Sequence, residues 1–239
     1  MSRKTIGIPA LVLLALTGCV SSRQARHVTP GGFLGLSAQL LEEGKRGEEA
    51  LLVYHNASAR WAAYDTVILD PIAIWDANPV NVTADQAADF QKLVDSFDVT
   101  LRAKLAKSYT IATASQKRTL LIQIAIVNGA QANSSLKVAK LVAPYASIAD
   151  LVWTFGTGKP AFAGEVSLEY MIKDSESGEL LAAGADRRVG GNQLGSATFT
   201  RWGDVRNILT YWSDLTVYRL CLDRAAVACQ KPSAGLTDQ

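Results

Sequence analysis

The chain has 239 residues, with 24 lysines and arginines against 22 aspartates and glutamates, so its formal net charge is +2. Arg3 and Lys4 account for that excess, and the remaining 22 basic side chains are balanced by 22 acidic ones. A balanced chain has no basic field to attract nucleic acid, and this length allows one domain with a good core or two small ones.

The N-terminal segment has the layout of a secretory signal peptide. Arg3 and Lys4 supply the positive region, residues 6–16 form an apolar run, and small residues lead to Cys19. The run holds about half of the roughly 20 residues that a membrane-spanning helix needs, so we predict a leader and not a transmembrane helix. The Leu-Thr-Gly-Cys sequence that ends at Cys19 resembles the lipobox of bacterial lipoproteins, which implies cleavage before this cysteine and its acylation. The alternative is an ordinary signal peptide in which the cysteine is incidental.

The lipobox divides the chain into four parts. We predict a signal peptide at residues 1–18, a lipidated tether at 19–32, a periplasmic domain at 33–230 and a flexible tail at 231–239. The tether is polar, ends in Pro-Gly-Gly and would reach about 40 Å when extended. Val20 stands where enterobacterial lipoproteins retained in the inner membrane carry an aspartate, so the resemblance implies anchoring at the periplasmic face of the outer membrane.

The first half of the domain combines short strands with one long helix. Apolar and β-branched runs predict strands at residues 51–55 and 66–75, and Pro71 marks the second as an edge strand or a bulge. Thr83 begins a capping box, and the helix that follows has one apolar stripe and ends near Lys107.

The second half contains a central strand, a hairpin and a last helix. The apolar run at residues 119–127 is typical of a central strand. Alternating residues at 162–189 predict a hairpin with one buried face and a turn at 174–178. Helical spacing predicts a last helix at 203–222, whereas residues 134–155 fit either a core element or a contact surface.

This order of elements predicts an α+β fold. The simplest packing is a single mostly antiparallel sheet with the two long helices packed on one face. Each helix has an apolar stripe, and a shared sheet face would bury both stripes together.

Two cysteines remain after Cys19, and we predict that Cys221 and Cys229 form a disulfide. An even pair in an exported chain favours oxidation, because the periplasm is an oxidising compartment. In the competing interpretation the last helix runs on, which would hold the two Cα atoms about 12 Å apart. A disulfide needs less than about 7 Å, so it requires the helix to end near residues 222–223.

Several short segments resemble, in order and spacing, a bacterial lipoprotein family catalogued as domain of unknown function 3313. The resemblance covers most of residues 33–222 and rests on Gly32-Phe33-Leu34-Gly35, Tyr64-Asp65, Leu69-Asp70-Pro71, Trp75, Gly164-Glu165, Ser177-Gly178-Glu179, Asp186-Arg187-Arg188 and Trp202-Gly203-Asp204. The chain departs after Gly35, where Leu-Ser-Ala replaces the family's frequent Asp-Tyr-Ser. The resemblance implies no activity, cofactor or catalytic residue. At the level of fold alone, the element order is also similar to small envelope-assembly domains, including the curli secretion pore family.

The triplet of Asp186, Arg187 and Arg188 is a candidate contact for an anion or a partner protein. On a strand, Asp186 and Arg188 share one face and Arg187 takes the other. The other interpretation is a set of salt bridges along a solvated strand edge.

We predict no catalytic residue, cofactor or metal site. His55 lies at a strand end, and the chain has no nucleophile-elbow sequence, so a structural role is expected for it. Asp65, Asp70 and Asp76 lack the spacing of a calcium loop and suit turns or caps. Neither His55 nor His27 has the spacing to the cysteines that a zinc site needs.

The sequence therefore predicts a non-enzymatic interaction or assembly protein of the bacterial envelope. Its expected partners are the membrane, through the lipid on Cys19, and an unidentified envelope protein, with no nucleic acid. Two alternatives stay open: a subunit of a secretion-type pore, and an envelope hydrolase. An exposed apolar face at residues 134–155 would favour the pore, and a pocket that gathers His55 with carboxylates would favour the enzyme.

Overall fold

Nine strands form one sheet in the structure, a computed structural model that describes residues 22–76, 84–128, 165–190 and 201–232. The strands are β1 (Ser22–Gln24), β2 (Glu42–Glu43), β3 (Leu52–His55), β4 (Thr66–Leu69), β5 (Ala73–Asp76), β6 (Thr110–Ile111), β7 (Thr119–Asn128), β8 (Glu165–Asp174) and β9 (Leu180–Gly190). The helices are α1 (Ala84–Leu105) and α2 (Arg201–Asp223), with short 3-10 helices at Gly35–Leu40 and Trp61–Ala63.

The sheet is mixed, so the predicted mostly antiparallel arrangement is wrong. The strand order is β2-β3-β9-β8-β7-β4-β6, with β1 also paired to β9 and β5 also paired to β7. Strand β7 runs parallel to both β4 and β5, and β4 runs parallel to β6. Helix α1 lies between β5 and β7 in the chain, and such a crossover is the connection that parallel neighbours require. The α+β class and the two helices are as predicted.

Pro71 divides the strand predicted at residues 66–75 into two strands. β4 ends at Leu69 and β5 begins at Ala73, and the two pair with successive parts of β7. Proline has no N–H group for a sheet ladder, so the break falls where the sequence placed an edge or a bulge.

Both helices contribute to one apolar cluster on one face of the sheet. The helical members of this cluster are Leu93, Val94, Phe97, Leu101, Leu105, Val205, Ile208, Leu209, Tyr211, Trp212, Leu215 and Leu220. The sheet supplies alternate residues of its central strands, among them Leu120, Ile122, Ile124, Ile126, Val166 and Leu168. The apolar stripes read from the sequence are therefore the buried faces of the helices. An ion pair between Lys104 and Asp214 joins α1 to α2.

The opposite face of the sheet is covered by residues 25–41, which we call the covering segment. Its buried anchor is Leu34, which packs against the hairpin residues Met171, Ala183 and Ala185. Partly buried apolar residues surround this small cluster, including Val28, Phe33, Ala38 and Leu41. Within the described residues, the sheet is thus covered on both faces, and α1 and α2 lie on one of them.

Glu169 of β8 holds the covering segment in place. Alternation along the predicted hairpin assigns Glu169 to the face opposite the buried one, yet only 1% of its surface is exposed. Its carboxylate accepts hydrogen bonds from the backbone N–H groups of Gly31 and, at 3.1 Å, Leu34. Burial raises the pKa of Glu169, and the backbone donors oppose that shift. A Cβ on Gly31 would overlap the side chain of Val127, so glycine permits this close approach.

The first strand lies within the part of the chain predicted to be a tether. β1 pairs antiparallel with the end of β9, where Ser22 is opposite Gly190, and Ser22 is buried. An unpaired strand edge exposes N–H and C=O groups, and β1 satisfies those of β9. The folded domain therefore includes β1 and the covering segment, and it begins before residue 33.

The predicted hairpin is confirmed by the pairing of β8 with β9. In the turn between β8 and β9, the Asp174 carboxylate accepts hydrogen bonds from the backbone N–H groups of Glu176 and Ser177, at 3.0 and 2.8 Å. Gly178 has a φ of 73°, a left-handed conformation that favours glycine. These turn residues fix the register that brings Asp186 opposite Leu168.

The predicted disulfide between Cys221 and Cys229 is also confirmed. α2 ends at Asp223, and the Cα atoms of the two cysteines lie 5.6 Å apart. Ala225 has a φ of 53°, which reverses the chain after the helix. The bond therefore joins the end of α2 to the segment that folds back beside it.

Several predictions lie outside the described residues. They concern the signal peptide, Cys19, the helix start at Thr83, residues 134–155 and residues 233–239 of the tail. Within the described ranges, no helix combines the length and the apolar character needed to cross a membrane.

Candidate functional site

A cavity of about 80 Å³ lies between α2 and the helix-covered face of the sheet. Ala182, Gly184 and Asp186 alternate along β9, so they share the face turned toward this helix. The short side chain of Ala182 lines the cavity and leaves room beneath α2. The apolar walls come from Ile122, Ile124, Leu168, Ile172, Ala182, Leu215 and Leu220.

Gly184 is required for the position of Tyr170, which also lines the cavity. A Cβ on Gly184 would lie 2.5 Å from the Tyr170 ring, closer than real Cβ contacts. The ring therefore rests directly on the backbone of β9. Burial raises the pKa of the Tyr170 hydroxyl well above its usual range, which keeps this group neutral.

Two pairs of acidic and basic side chains lie at the rim of the cavity. Arg219 of α2 forms an ion pair with Glu49 at 2.8 Å, and their side chains are partly exposed. His55, at the end of β3, lies with its Nε2 3.1 Å from the Oδ1 of Asp223. Burial raises the pKa of Asp223, while the neighbouring His55 and Arg219 oppose the shift.

His55 combines an accessible imidazole with a fixed orientation. Its side chain is 39% exposed, and its ring stacks on Trp61 at a centroid distance of 5.2 Å. The hydroxyl of Thr216, which also lines the cavity, donates to the carbonyl of Trp212 at 2.9 Å. The structure thus places a histidine–carboxylate pair at a pocket, as the hydrolase alternative requires, with the nearby threonine hydroxyl engaged elsewhere.

Asp186 lines the cavity and is only 1% exposed. Its carboxylate accepts hydrogen bonds from the Trp212 Nε1 at 2.7 Å, the Gln24 Nε2 at 2.9 Å and the Leu51 backbone N–H at 3.3 Å. Burial raises its pKa, although these donors and Arg188 oppose the shift. Asp186 thereby connects three parts of the fold, which are β1, Leu51 just before β3, and α2.

Arg188 is the buried partner of β1. Its guanidinium donates to the Ser22 hydroxyl at 3.0 Å and the Ser22 carbonyl at 2.8 Å, and lies 3.7 Å from the centre of the Tyr211 ring. A planar guanidinium with several donors suits such an enclosed position better than an ammonium would. Each of these contacts fixes the first strand to the rest of the fold.

The salt-bridge interpretation of the triplet is therefore wrong. β9 is paired on both sides, and Asp186 and Arg188 are interior residues on the face toward α2. Arg187 points to the other face, as alternation requires, and is half-buried. The predicted contact of the triplet with an anion or a partner stays a prediction.

Other candidates from the sequence remain apart from the cavity. Asp65 pairs with Arg118 at 2.5 Å, and Asp70 accepts a hydrogen bond from Gln123 at 2.8 Å. Among the described residues, no three histidines, cysteines or acidic side chains come together as a possible metal site. No local pattern could have revealed the pairing of His55 with Asp223, because 168 residues separate them along the chain.

The fold and the cavity define an α+β domain with a helix-covered mixed sheet and a second face closed by its own N-terminal segment. A family model described as "Protein of unknown function (DUF3313)" matches residues 30–216. The chain therefore belongs to this family, as the motifs in the sequence predict.

The solved structures to which the chain is similar are remote in sequence. A PelC dodecamer from Paraburkholderia phytofirmans is 14% identical, with 74% of this chain and 98% of that chain covered and a TM-score of 0.33. A point variant of the same dodecamer, in another space group, is 13% identical with the same coverage and TM-score. A DUF4136 family protein from Bacteroides thetaiotaomicron is 12% identical, with 67% and 92% coverage and a TM-score of 0.30. No curated protein is significantly similar to the chain.

Proposed function

We propose that this chain is an outer-membrane lipoprotein, acylated at Cys19, whose periplasmic domain is a non-enzymatic interaction or assembly protein of the envelope. The supporting observation is the position of β1. Ser22 is buried in the sheet, only three residues after the cysteine of the lipobox.

This position sets how far the domain stands from the bilayer. Three extended residues reach about 10 Å, at about 3.3 Å each, which is far less than the roughly 40 Å of a free tether. Arg188 and Asp186 hold β1 from within the core, so the short distance is built into the fold. A domain held this close to a membrane is suited to a partner that also lies in or on that membrane.

The anchor is tested by Cys19→Ser in the native host. The variant is expected to lose its acyl chains and to leave the membrane fraction, or to remain unprocessed, because stable anchoring needs more than one chain. Intact mass and membrane fractionation are the measurements, with Cys229→Ser as a cysteine control that should stay membrane-bound. A processed Cys19→Ser product that fractionates like the wild type would rule out the anchor.

The short distance is tested by inserting ten Gly/Ser residues between Val20 and Ser21. A control chain carries the same insertion after Gln239. In intact cells, crosslinking followed by mass spectrometry should recover a membrane partner with the wild type and the control, but much less of it with the lengthened tether. Equal recovery from all three chains would contradict a role that depends on closeness to the membrane.

A second candidate function is envelope hydrolysis, favoured by the His55–Asp223 pair at the cavity. An imidazole oriented by a carboxylate is a general base that can activate water or a hydroxyl group. Purified protein would then hydrolyse a panel of ester and amide substrates, and His55→Gln would lower the rate by about 10²-fold or more. No difference between the wild type and His55→Gln across the panel would exclude this candidate.

A further inference from the structure

The cavity beneath α2 has two chemically distinct parts. Its interior is apolar, formed by side chains such as Ile124, Leu168 and Leu215. Its partly exposed charged or titratable side chains, Glu49, His55, Arg219 and Asp223, lie at the rim, whereas the buried Asp186 is engaged by its own hydrogen-bond donors. A molecule inside would therefore meet mainly hydrocarbon in the interior and charge at the rim. That division is typical of a site for a small amphiphile and not for a fully polar ligand.

Acidic side chains outnumber basic ones among the residues that line the cavity. Three carboxylates, Glu49, Asp186 and Asp223, line the cavity, against one permanent cation, Arg219, and one imidazole, His55. A cleft lined mainly by one sign of charge with low-dielectric walls concentrates ions of the opposite sign.

Asp223 is the acidic group best placed to meet such an ion. Its side chain is 12% exposed at the rim, and its carboxylate lies 3.1 Å from the His55 imidazole. Burial disfavours its ionised form, and an ammonium placed beside it would restore the charge with a charge-assisted hydrogen bond.

The size of the cavity limits the apolar part of the ligand. Its volume of about 80 Å³ is roughly half of the 150 Å³ apolar cavity that admits benzene. An alkyl body of about four carbons fills such a space, whereas a long acyl chain does not.

We propose that this cavity is a binding site for a small cationic amphiphile, a primary amine on a short alkyl body. The alkyl group lies between α2 and the sheet, and the ammonium lies at the rim between Glu49 and Asp223. This assignment does not depend on the lipid anchor, since every residue that carries it lies in the folded domain.

The first measurement compares three probes of equal length on the purified full chain. Isothermal titration at pH 7 with n-butylamine, n-butanol and sodium butyrate should show the amine binding about tenfold more tightly than the alcohol, and butyrate most weakly. Equal affinity for the three probes, or no binding of the amine, overturns the proposal.

The second measurement removes the rim charges. Glu49→Gln combined with Asp223→Asn should weaken n-butylamine binding about tenfold and leave n-butanol unchanged. Glu48→Gln is the matched control, since Glu48 is adjacent in sequence but pairs with Lys231 and does not line the cavity. Asp223→Asn alone replaces the double variant if that variant does not fold. Unchanged amine affinity in the rim variant overturns the assignment of the ammonium to this rim.

The third measurement tests variants in which a larger side chain occupies the apolar part of the cavity. Ala182→Val adds two methyl groups to the cavity wall and should weaken all three probes by a similar factor. Ala183→Val makes the same change on the next residue of β9, which faces the covering segment, and should leave binding unchanged. Circular dichroism verifies the fold of both. If Ala182→Val folds and binds n-butylamine like the wild type, the ligand is not in this cavity.

Discussion

The two faces of the sheet are closed by different kinds of structure. One face carries two helices of 22 and 23 residues, and their apolar stripes merge with the central strands into one large cluster. The other is covered by residues 25–41, which include no long helix and add a small cluster around Leu34. The helical face is held mainly by a large buried apolar area, whereas the covered face combines a small apolar cluster with hydrogen bonds from its backbone to Glu169.

This difference shows where each face is vulnerable. Burial of apolar side chains is spread over many residues, so the helical face depends on volume and shape. The covering segment instead depends on Glu169, whose carboxylate satisfies two backbone donors that would otherwise be unpaired. Removal of one group should therefore loosen that segment without opening the helical core.

The largest effect is expected from Leu101→Ala on the helical face. Leu101 is fully buried in α1, so the change should lower the free energy of unfolding by about 2–5 kcal/mol through lost burial and a new cavity. Val99→Ala, on the exposed side of the same helix, should change it by less than about 0.5 kcal/mol. Urea unfolding followed by circular dichroism measures both, and equal losses would contradict the one-sided packing of α1.

A smaller effect is expected when the disulfide at the end of α2 is removed. Its loop of about nine residues should contribute about 2.5 kcal/mol through the unfolded state in the entropic model. The double variant Cys221→Ser/Cys229→Ser should lose this amount in urea unfolding, and reduction of the wild type should reproduce the loss. An unchanged midpoint in both experiments would show that the bond does not constrain the unfolded chain.

Glu169→Ala should cost roughly 1–3 kcal/mol, because it leaves the backbone N–H groups of Gly31 and Leu34 without an acceptor. Its distinctive sign is local: limited proteolysis should cut the covering segment while α1 and α2 stay protected. Glu176→Ala, in the exposed hairpin turn, is the control and should behave like the wild type. Uniform loss of protection across the domain would argue against a locally held segment.

The smallest effect is a change in pH dependence. Burial raises the pKa of Glu169, so the folded state retains this proton at pH values where the unfolded chain has released it. Its contribution to stability is therefore present in acid and is lost as the pH rises through the folded-state pKa. Glu169→Gln removes this term, so the wild type should lose stability relative to the variant as the pH rises above the ordinary glutamate pKa of about 4.3. Parallel stability curves above that value would contradict the raised pKa.

The sequence predicts the helical face well because its signal is local. Apolar residues at helical spacing mark α1 and α2, and alternation marks the hairpin, so each element can be recognised within about 20 residues. The end of α2 was also predictable, since the disulfide between Cys221 and Cys229 requires it.

The covering segment, the parallel strand pairing and the cavity depend instead on contacts between residues that are distant in the chain. The covering segment has no apolar period, and the burial of Glu169 follows only from its contact with Gly31, 138 residues earlier. The parallel pairing of β5 with β7 was implied by the strand–helix–strand order, but the stronger hairpin pattern concealed it. The cavity likewise arises where β9 meets α2, and it needs both the small residues of the strand and the charged end of the helix.

The contact between Ser22 and Arg188 also affects the order in which parts of the chain can fold. These residues are 166 positions apart, so β1 cannot pair with β9 until β9 has also crossed the membrane in the proposed export. In the proposed export from the N-terminus, the chain therefore carries residues 22–24 unpaired through most of its translocation. Throughout that interval the neighbouring Cys19 would be accessible to modifying enzymes. The pairing of β1 with β9 would end the interval. If Cys19 is acylated as proposed, its modification would therefore precede the pairing of β1 with β9.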